Sequence, residues 1–266
     1  MPVQIRFKND FFKFLDQVNY NPGISIKDIL ENGIHFGHNA EKWNPKMKPY
    51  IFGERNGIHI IDVQKTQEML TEACKYAYYL ASQGGTILFV GTKNIGKELV
   101  KNYAIECEMP YIVERWLGGT LTNFQAILNG IERYNRYVEM IQSGEVYKLY
   151  TKKEANSIKR IMEKMGKYYE GIRNLKKLPD AVFVLGIMEE QTCIAEAVKM
   201  KVPIIAPVDT NCDPDPITFP FPGNDDGIRA IKFYCSVISR SIKAGRKKFV
   251  EQQRMIVESG EAPATT

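Results

Sequence analysis

The 266-residue chain is poor in the residues that build metal and nucleophile centres. It has three histidines, His35, His38 and His59, and five cysteines, Cys74, Cys107, Cys193, Cys212 and Cys235, with no CxxC pair. A structural zinc site needs about four ligands at short spacings, and neither residue type supplies them. An odd number of scattered cysteines argues against a disulfide framework and for small buried thiols in a reducing compartment. No apolar run approaches the roughly 18 residues that a membrane-spanning helix requires. The opening stretch MPVQIRFKNDFFKFLDQVNYNPG lacks an apolar core segment, lacks Ser and Thr, and carries Asp10 and Asp16. That composition argues against a secretory signal and against an organelle presequence.

What is present supports a packed protein with a charged partner. The chain is 44% hydrophobic and 25% charged, enough to bury a sizeable core. Its net charge of +5 is unevenly placed. From Arg133 to Lys177 there are twelve Lys and Arg against five Asp and Glu, while the remainder holds 24 and 26. Concentrating the positive charge in one segment points to an anionic partner.

Short apolar runs alternate with helical patterns along much of the chain. A helix is predicted from about Thr66 to Ser82, then a buried strand in GGTILFVGTKN, a helix from Asn94 to about Glu106 and a short strand at YIV, 111–113. The pattern resumes with DAVFVLG from Asp180, a helix over about Glu189 to Met200, and VPIIAPVD from Val202. Such alternation indicates an α/β domain with a mostly parallel sheet covered on both faces. Between the two halves, Phe124, Ile127, Ile131, Tyr134, Val138 and Ile141 are spaced 3 and 4 apart, as are Ala155, Ile158, Met162, Met165, Tyr169 and Ile172. Both sets are heptad seams. Thr122 with Gln125, and Thr151 with Glu154, read as capping boxes that start the two helices. The basic segment is therefore expected to be a helical hairpin inserted into the α/β domain. VDTNCDPDPITFPFPGNDDG reads as a Pro/Asp-rich loop, followed by a helix from near Asp225 that ends in SRSIKAGRKKF, and ESGEAPATT reads as a disordered tail.

Three motifs invite a chemical reading. GTKNIGKE, from Gly91 to Glu98, fits the phosphate-cradling GxxxxGK pattern, but Glu98 stands where a magnesium-binding Ser or Thr belongs. An ordinary helix N-terminus with Lys93 exposed is the better reading. The alternative function it leaves is a nucleotide-binding α/β enzyme using Gly91–Lys97. DTNCDPD, from Asp209 to Asp215, imitates a calcium loop, yet Pro214 occupies the place of the required Gly and no Glu closes the site. A turn at a strand end is preferred, and no metal site is assigned. In ERWLGGTLTNF, Arg115 and Trp116 could pair with phosphate or stack on a base, or Trp116 could be a core residue beside a hinge. Both readings stay open.

GIHFGHNAEKWNPKMKPYIFGERNGIHIIDVQKT, ILFVGTK, RWLGGTLTNF, LPDAVFV, VDTNCDPD and PGNDDGIRAI occur in this order. Together they resemble the family of the second protein of the small ribosomal subunit, of bacterial type, over roughly 26–245. The resemblance implies a flavodoxin-like parallel α/β domain with a protruding antiparallel coiled-coil hairpin. It implies a structural role without catalytic residue or cofactor. The implied partners are 16S-type rRNA and neighbouring ribosomal proteins, among them the large mRNA-recruiting ribosomal protein one, and neither membrane nor DNA. The implied place is the cytoplasm, in a bacterial ribosome, with a plastid or mitochondrial ribosome as the alternative. On this basis 1–25 is an N-terminal arm, 26–121 and 178–250 form the α/β domain, 122–177 is the hairpin, and 251–266 is a flexible tail.

RNA affinity in such a protein comes mainly from cations neutralising phosphates. The candidates are Lys42, Lys46, Lys48 and Arg55, with Trp43, on a loop braced by Pro45 and Pro49. Lys93, Arg115 and Trp116 follow on the core. Lys152, Lys153, Lys159 and Arg160 lie on the hairpin, and Arg246, Lys247 and Lys248 near the C-terminal end. His35 and His38 are expected to pack and hydrogen-bond beneath the loop. A coiled-coil adaptor that holds a protein without RNA is a further reading, separable by the salt dependence of RNA binding.

Overall fold

Residues 18–259 are described by a computed structural model. The chain enters through a short helix, α1 (Ile26–Glu31), started by a capping box in which Ser25 and Asp28 satisfy each other's backbone N–H groups. Strands β1 (Phe36–Asn39), β2 (Ile51–Arg55) and β3 (Ile58–Ile61) then form an antiparallel sheet in the order β1-β3-β2. Asn56 and Gly57, with φ of 54° and 76°, make the tight turn between β2 and β3, as an Asn-Gly hairpin requires. The loop braced by Pro45 and Pro49 is two 3-10 turns, Ala40–Lys42 and Pro45–Tyr50, that join β1 to β2, and of the residues placed on it only Arg55 lies in a strand, at the end of β2. Met47 anchors the second turn in the core, fully buried.

Helix α2 (Val63–Ser82) follows, with the Asp62 side chain accepting from the N–H groups of Gln64 and Lys65. The remaining elements are β4 (Ile87–Val90), α3 (Lys97–Glu106), β5 (Tyr111–Ile112), α4 (Phe124–Gln142), α5 (Val146–Leu149), α6 (Lys152–Tyr169), β6 (Ala181–Val184), α7 (Gln191–Met200), β7 (Ile204–Val208), β8 (Phe219–Pro222) and α8 (Ile228–Ser259). The five later strands are all parallel, in the order β5-β4-β6-β7-β8. Every residue of β4, β6, β7 and β8 is buried. Alternate side chains serve opposite faces. Ile87, Phe89, Phe183, Ile205 and Phe221 pack against α2, α3 and α8. Leu88, Val90, Val182, Val184, Ile204 and Ala206 pack against α7, the root of α4 and the segment around Ile172.

Three expectations are corrected. FPFP is a strand rather than loop: β8 pairs only with β7 and lies at the sheet edge, where a proline's missing N–H is tolerated. Thr122 and Gln125 form no capping box, since α4 starts at Phe124 after an Asn123 whose side chain makes no cap bond. The box of Thr151 and Glu154 is formed. Helix α8 runs past Lys248 to Ser259, through part of the stretch expected to be tail. The rest of that tail, and most of the N-terminal arm, lie outside the described residues.

Helices α4 and α6 pack together, Gly130 facing Tyr169 and Gly166 facing Tyr134. The closest helix approach is that of α8 on α2. A Cβ on Gly245 would lie 2.3 Å from the Tyr78 carbonyl oxygen and 2.8 Å from the Ala81 Cβ. Gly245→Ala should therefore separate the two helices and lower stability by about 1–3 kcal/mol, measured by denaturant unfolding. An unchanged midpoint would show that the crossing is looser than this.

Candidate nucleic-acid interface

Two buried carboxylate centres fix where the predicted cations sit. The first is Glu196, which α7 places on its inner side near Cys193 and Ala197, leaving it 8% exposed. Its carboxylate accepts from the Trp116 indole N–H (3.1 Å), the backbone N–H groups of Gly119 (2.7 Å), Leu121 (3.0 Å) and Thr122 (3.1 Å), and the Thr122 hydroxyl (3.1 Å). Burial alone would raise this carboxyl group. The donors outweigh burial and hold it below the usual glutamate range. Gly119, at φ 91°, supplies the left-handed residue that lets the turn close around the anion. Trp116 is 7% exposed, so the core reading of that residue is the one the fold adopts, and its ring is not presented for stacking. The neighbouring Arg115 is exposed.

The second centre lies beyond the carboxyl ends of β4 and β6, where the strand order reverses, the usual ligand crevice of open α/β sheets. Here Thr92 N–H donates to Glu190 Oε1 at 2.8 Å. The Lys93 ammonium is bonded to Asp226 and lies 3.4 Å from Glu189 and 3.9 Å from Asp225. Lys93 is therefore not the exposed helix-start lysine that the sequence suggests. Burial works against its charge, but Asp226, Asp225 and Glu189 hold its pKa above the ordinary lysine value. His38 Nδ1 lies 2.9 Å from Asp209 Oδ1, and its Nε2 lies 3.1 Å from Asp226 Oδ2. The adjoining Asp209 carboxylate raises the His38 pKa against the effect of burial, with Asp226 and Asp225 adding to it. Asp225, only 4% exposed, is pushed up to about 7 by burial and by the charge of Asp209, with Lys93 opposing. His38, Asp209 and Asp225 each offer one ligand atom, all within 4.8 Å of one another, so these are the residues that could hold a cation. His38 N–H also donates to Thr210 Oγ1 at 2.8 Å, tying the small sheet to the loop after β7. His35 instead packs its ring on Phe36 at 4.1 Å.

The loop Gly91–Lys97 has no room for a phosphate. The cavity lined by Gly91, Lys93, Gly96 and Gly186 measures about 10 Å³. A Cβ on Gly91 would already meet Val100 at 2.9 Å, and Lys97 turns away to Glu114 at 3.3 Å.

The fifteen sequence candidates divide by partner. Lys42, Lys48, Arg55, Arg115, Lys152, Lys153, Lys159 and Arg160 are exposed and form no ion pair among the described residues. Lys46 is held by Asp213 (2.7 Å) and Asp215 (2.5 Å), Arg246 by Glu108 (2.5 Å), and Lys247 approaches Glu251 at 4.0 Å. Lys248 lies 5.9 Å over the Tyr78 ring, and Trp43 sits half-buried, edge-on to His59 at 5.3 Å.

The sequence that builds this α/β body matches a known family. The model for ribosomal protein S2 fits residues 29–245. The chain belongs to the ribosomal protein S2 family. It is 46% identical to the small ribosomal subunit protein uS2 of Helicobacter hepaticus over 244 residues, 91% of each chain. It is likewise 46% identical to that of Nitratiruptor sp. over 242 residues, 91% of this chain and 90% of the other. For that of Sulfurimonas denitrificans the identity is 47% over 223 residues, 84% and 86% of the two chains.

Within this S2-family chain the residue that sequence reasoning missed is Glu196. MEEQTCIAEA carries no motif, and the available signal was an acid set between alanines near the buried Cys193 and Ile194. Glu196→Gln puts an amide NH₂ against backbone donors and should cost about 2–4 kcal/mol of stability. Because the folded-state pKa is depressed, the carboxylate's contribution is complete above the ordinary glutamate value and lost as pH falls through the lower folded value. The stability gap between wild type and variant should therefore narrow below about pH 4. Denaturant titrations at pH 7 and pH 3 test both points, and a gap independent of pH would refute the assignment.

Proposed function

We propose that this chain, a structural protein of the small ribosomal subunit, grips the subunit's rRNA through phosphates with three groups of unpaired cations. Lys42, Lys48 and Arg55 act from the small sheet and its turns, Arg115 from the clamped turn, and Lys152, Lys153, Lys159 and Arg160 from α6. Lys248 extends the surface on α8. The observation that carries the reading is their exposure without ion pairs among the described residues, since a cation already neutralised by a carboxylate gives less to a phosphate. Lys46, Lys93, Arg246 and Lys247 are accordingly positioning residues, and Trp116 is part of the core. Recognition is of folded RNA, through phosphates and 2′-hydroxyls, with little base readout.

The order of the five parallel strands, second-first-third-fourth-fifth along the chain, supports the flavodoxin-like reading of the α/β part, 26–121 with 178–250. The opposed contacts of Gly130 with Tyr169 and of Gly166 with Tyr134 support an inserted antiparallel coiled-coil hairpin over 122–177. The protein sits in the ribosome with rRNA and other proteins. The family resemblance extends those partners to the large mRNA-recruiting ribosomal protein one. Among the described residues no helix is long and apolar enough to cross a membrane.

The test is rRNA affinity over a salt series. Replacing Lys42, Lys48 and Arg55 together by alanine should weaken binding and reduce the log–log salt slope by roughly 2 to 3. Lys93→Ala should lower stability and leave that slope alone. A triple variant with the wild-type slope would remove the phosphate grip from this surface.

A further inference from the structure

The tip of the hairpin carries more than charge. Gly144, at φ 71°, ends the chain's run along α4, and Val146, 1% exposed, pins the one-turn helix α5 into the hairpin. Backbone hydrogen bonds from Tyr147 to Gly144 (3.2 Å), Leu149 to Glu145 (3.1 Å) and Tyr150 to Val146 (3.1 Å) hold the turn in one shape. The fixed turn presents Tyr147 at 59% exposure, Leu149 at 63% and Tyr150 at 42%. Neither tyrosine ring stacks on another ring, and neither hydroxyl is hydrogen-bonded, among the described residues. Three exposed lysines, Lys148, Lys152 and Lys153, flank them along the chain and form no ion pair among the described residues. The nearby carboxylates are Glu145, exposed at the start of the turn, and Glu154, occupied by the Thr151 N–H (2.9 Å) and hydroxyl (2.8 Å), so the three lysines leave the tip net positive.

We propose that this tip is a stacking platform for unpaired bases of the subunit's rRNA, with Tyr147 and Tyr150 taking the base faces and the lysines the flanking phosphates. The inference rests on the rRNA-binding reading and adds the class of RNA that this part of the surface receives. Charge selects the occupant: three free cations around two rings suit a polyanion better than an apolar protein face. Ring geometry selects the RNA: a duplex buries its base faces in its own stack, so an exposed ring finds a partner only in a loop, bulge or single strand. The pinned turn presents the rings without further ordering, which lowers the entropic cost of binding.

Deproteinised small-subunit rRNA is the probe, used with the full chain in a salt series and in nuclease footprinting. Tyr147→Ala with Tyr150→Ala should weaken binding about tenfold or more at an unchanged salt slope, and expose unpaired nucleotides that the wild type protects. The corresponding Phe variants should bind like wild type. Lys152→Ala with Lys153→Ala should instead reduce the slope by roughly 1.5 to 2. Wild-type affinity in the Ala variant, loss of affinity in the Phe variant, or lost protection confined to duplex would overturn the platform. Unchanged rRNA affinity with failed incorporation into the complete subunit would assign the tip to a protein and overturn it too. If the wild type itself shows no rRNA affinity, the proposed function falls, and this inference with it.

Discussion

A single buried carboxylate, Glu196, decides how the basic part of this molecule is held. Five hydrogen bonds from Trp116, Gly119, Leu121 and Thr122 converge on it, and all of the donors lie in the turn that leads out of the sheet into α4. A charge this far from water is tolerated only when its lone pairs are filled. The turn is therefore wrapped tightly around the anion rather than left as a hinge. The chain that follows α6 meets the same core, where Ile172 and Leu175 pack with Trp116 and Leu121. Both ends of the insertion are thus fastened at one place, which fixes the direction in which its lysines point.

The second buried group, around Lys93, has the position of an α/β ligand crevice but is filled by the protein's own charges. Lys93 and His38 sit among Asp209, Asp225, Asp226 and Glu189, and the space beside Gly91 is closed. What this cluster accomplishes is a junction: the small sheet, the loop after β7 and the start of α8 are tied together through His38 and Thr210. The close approach of Gly37 to Thr210, where a Cβ would meet the threonine at 2.6 Å, belongs to the same junction. Lys93, which takes part in it, is withdrawn from the surface, while Lys42, Lys48 and Arg55 and the α6 cations Lys152, Lys153, Lys159 and Arg160 form no ion pair among the described residues.

Much of the architecture was legible in local sequence. β4, β6 and β7 are apolar throughout and flanked by turn residues, as fully buried parallel strands are, and α6 declared its start with Thr151 and Glu154. The small sheet was overlooked although Asn56-Gly57 marks its hairpin, because Pro45 and Pro49 drew the whole stretch towards a loop reading. β8 was hidden by Pro220 and Pro222, whose missing N–H groups are tolerated on a strand at the sheet edge. Thr122 resembled a cap, yet α4 starts only at Phe124, and the Thr122 N–H and hydroxyl both donate to Glu196. In each case a tertiary partner outbid the local preference that the sequence displays.

The sequence by itself determined the alternation of buried strands and helices, the concentration of positive charge between Arg133 and Lys177, and the family. These follow from periodicity, composition and ordered motifs, all of which act over short spans of chain. Only the tertiary structure decided that Trp116 is core, that Lys46, Lys93 and Arg246 are already paired, and that Tyr147 and Tyr150 stand exposed at a pinned tip. The physical reason is that ion pairs and buried hydrogen bonds depend on distance in space. Gly119 and Glu196 are 77 residues apart, and His38 and Thr210 are 172 apart, so no local pattern in the chain records which charges will meet.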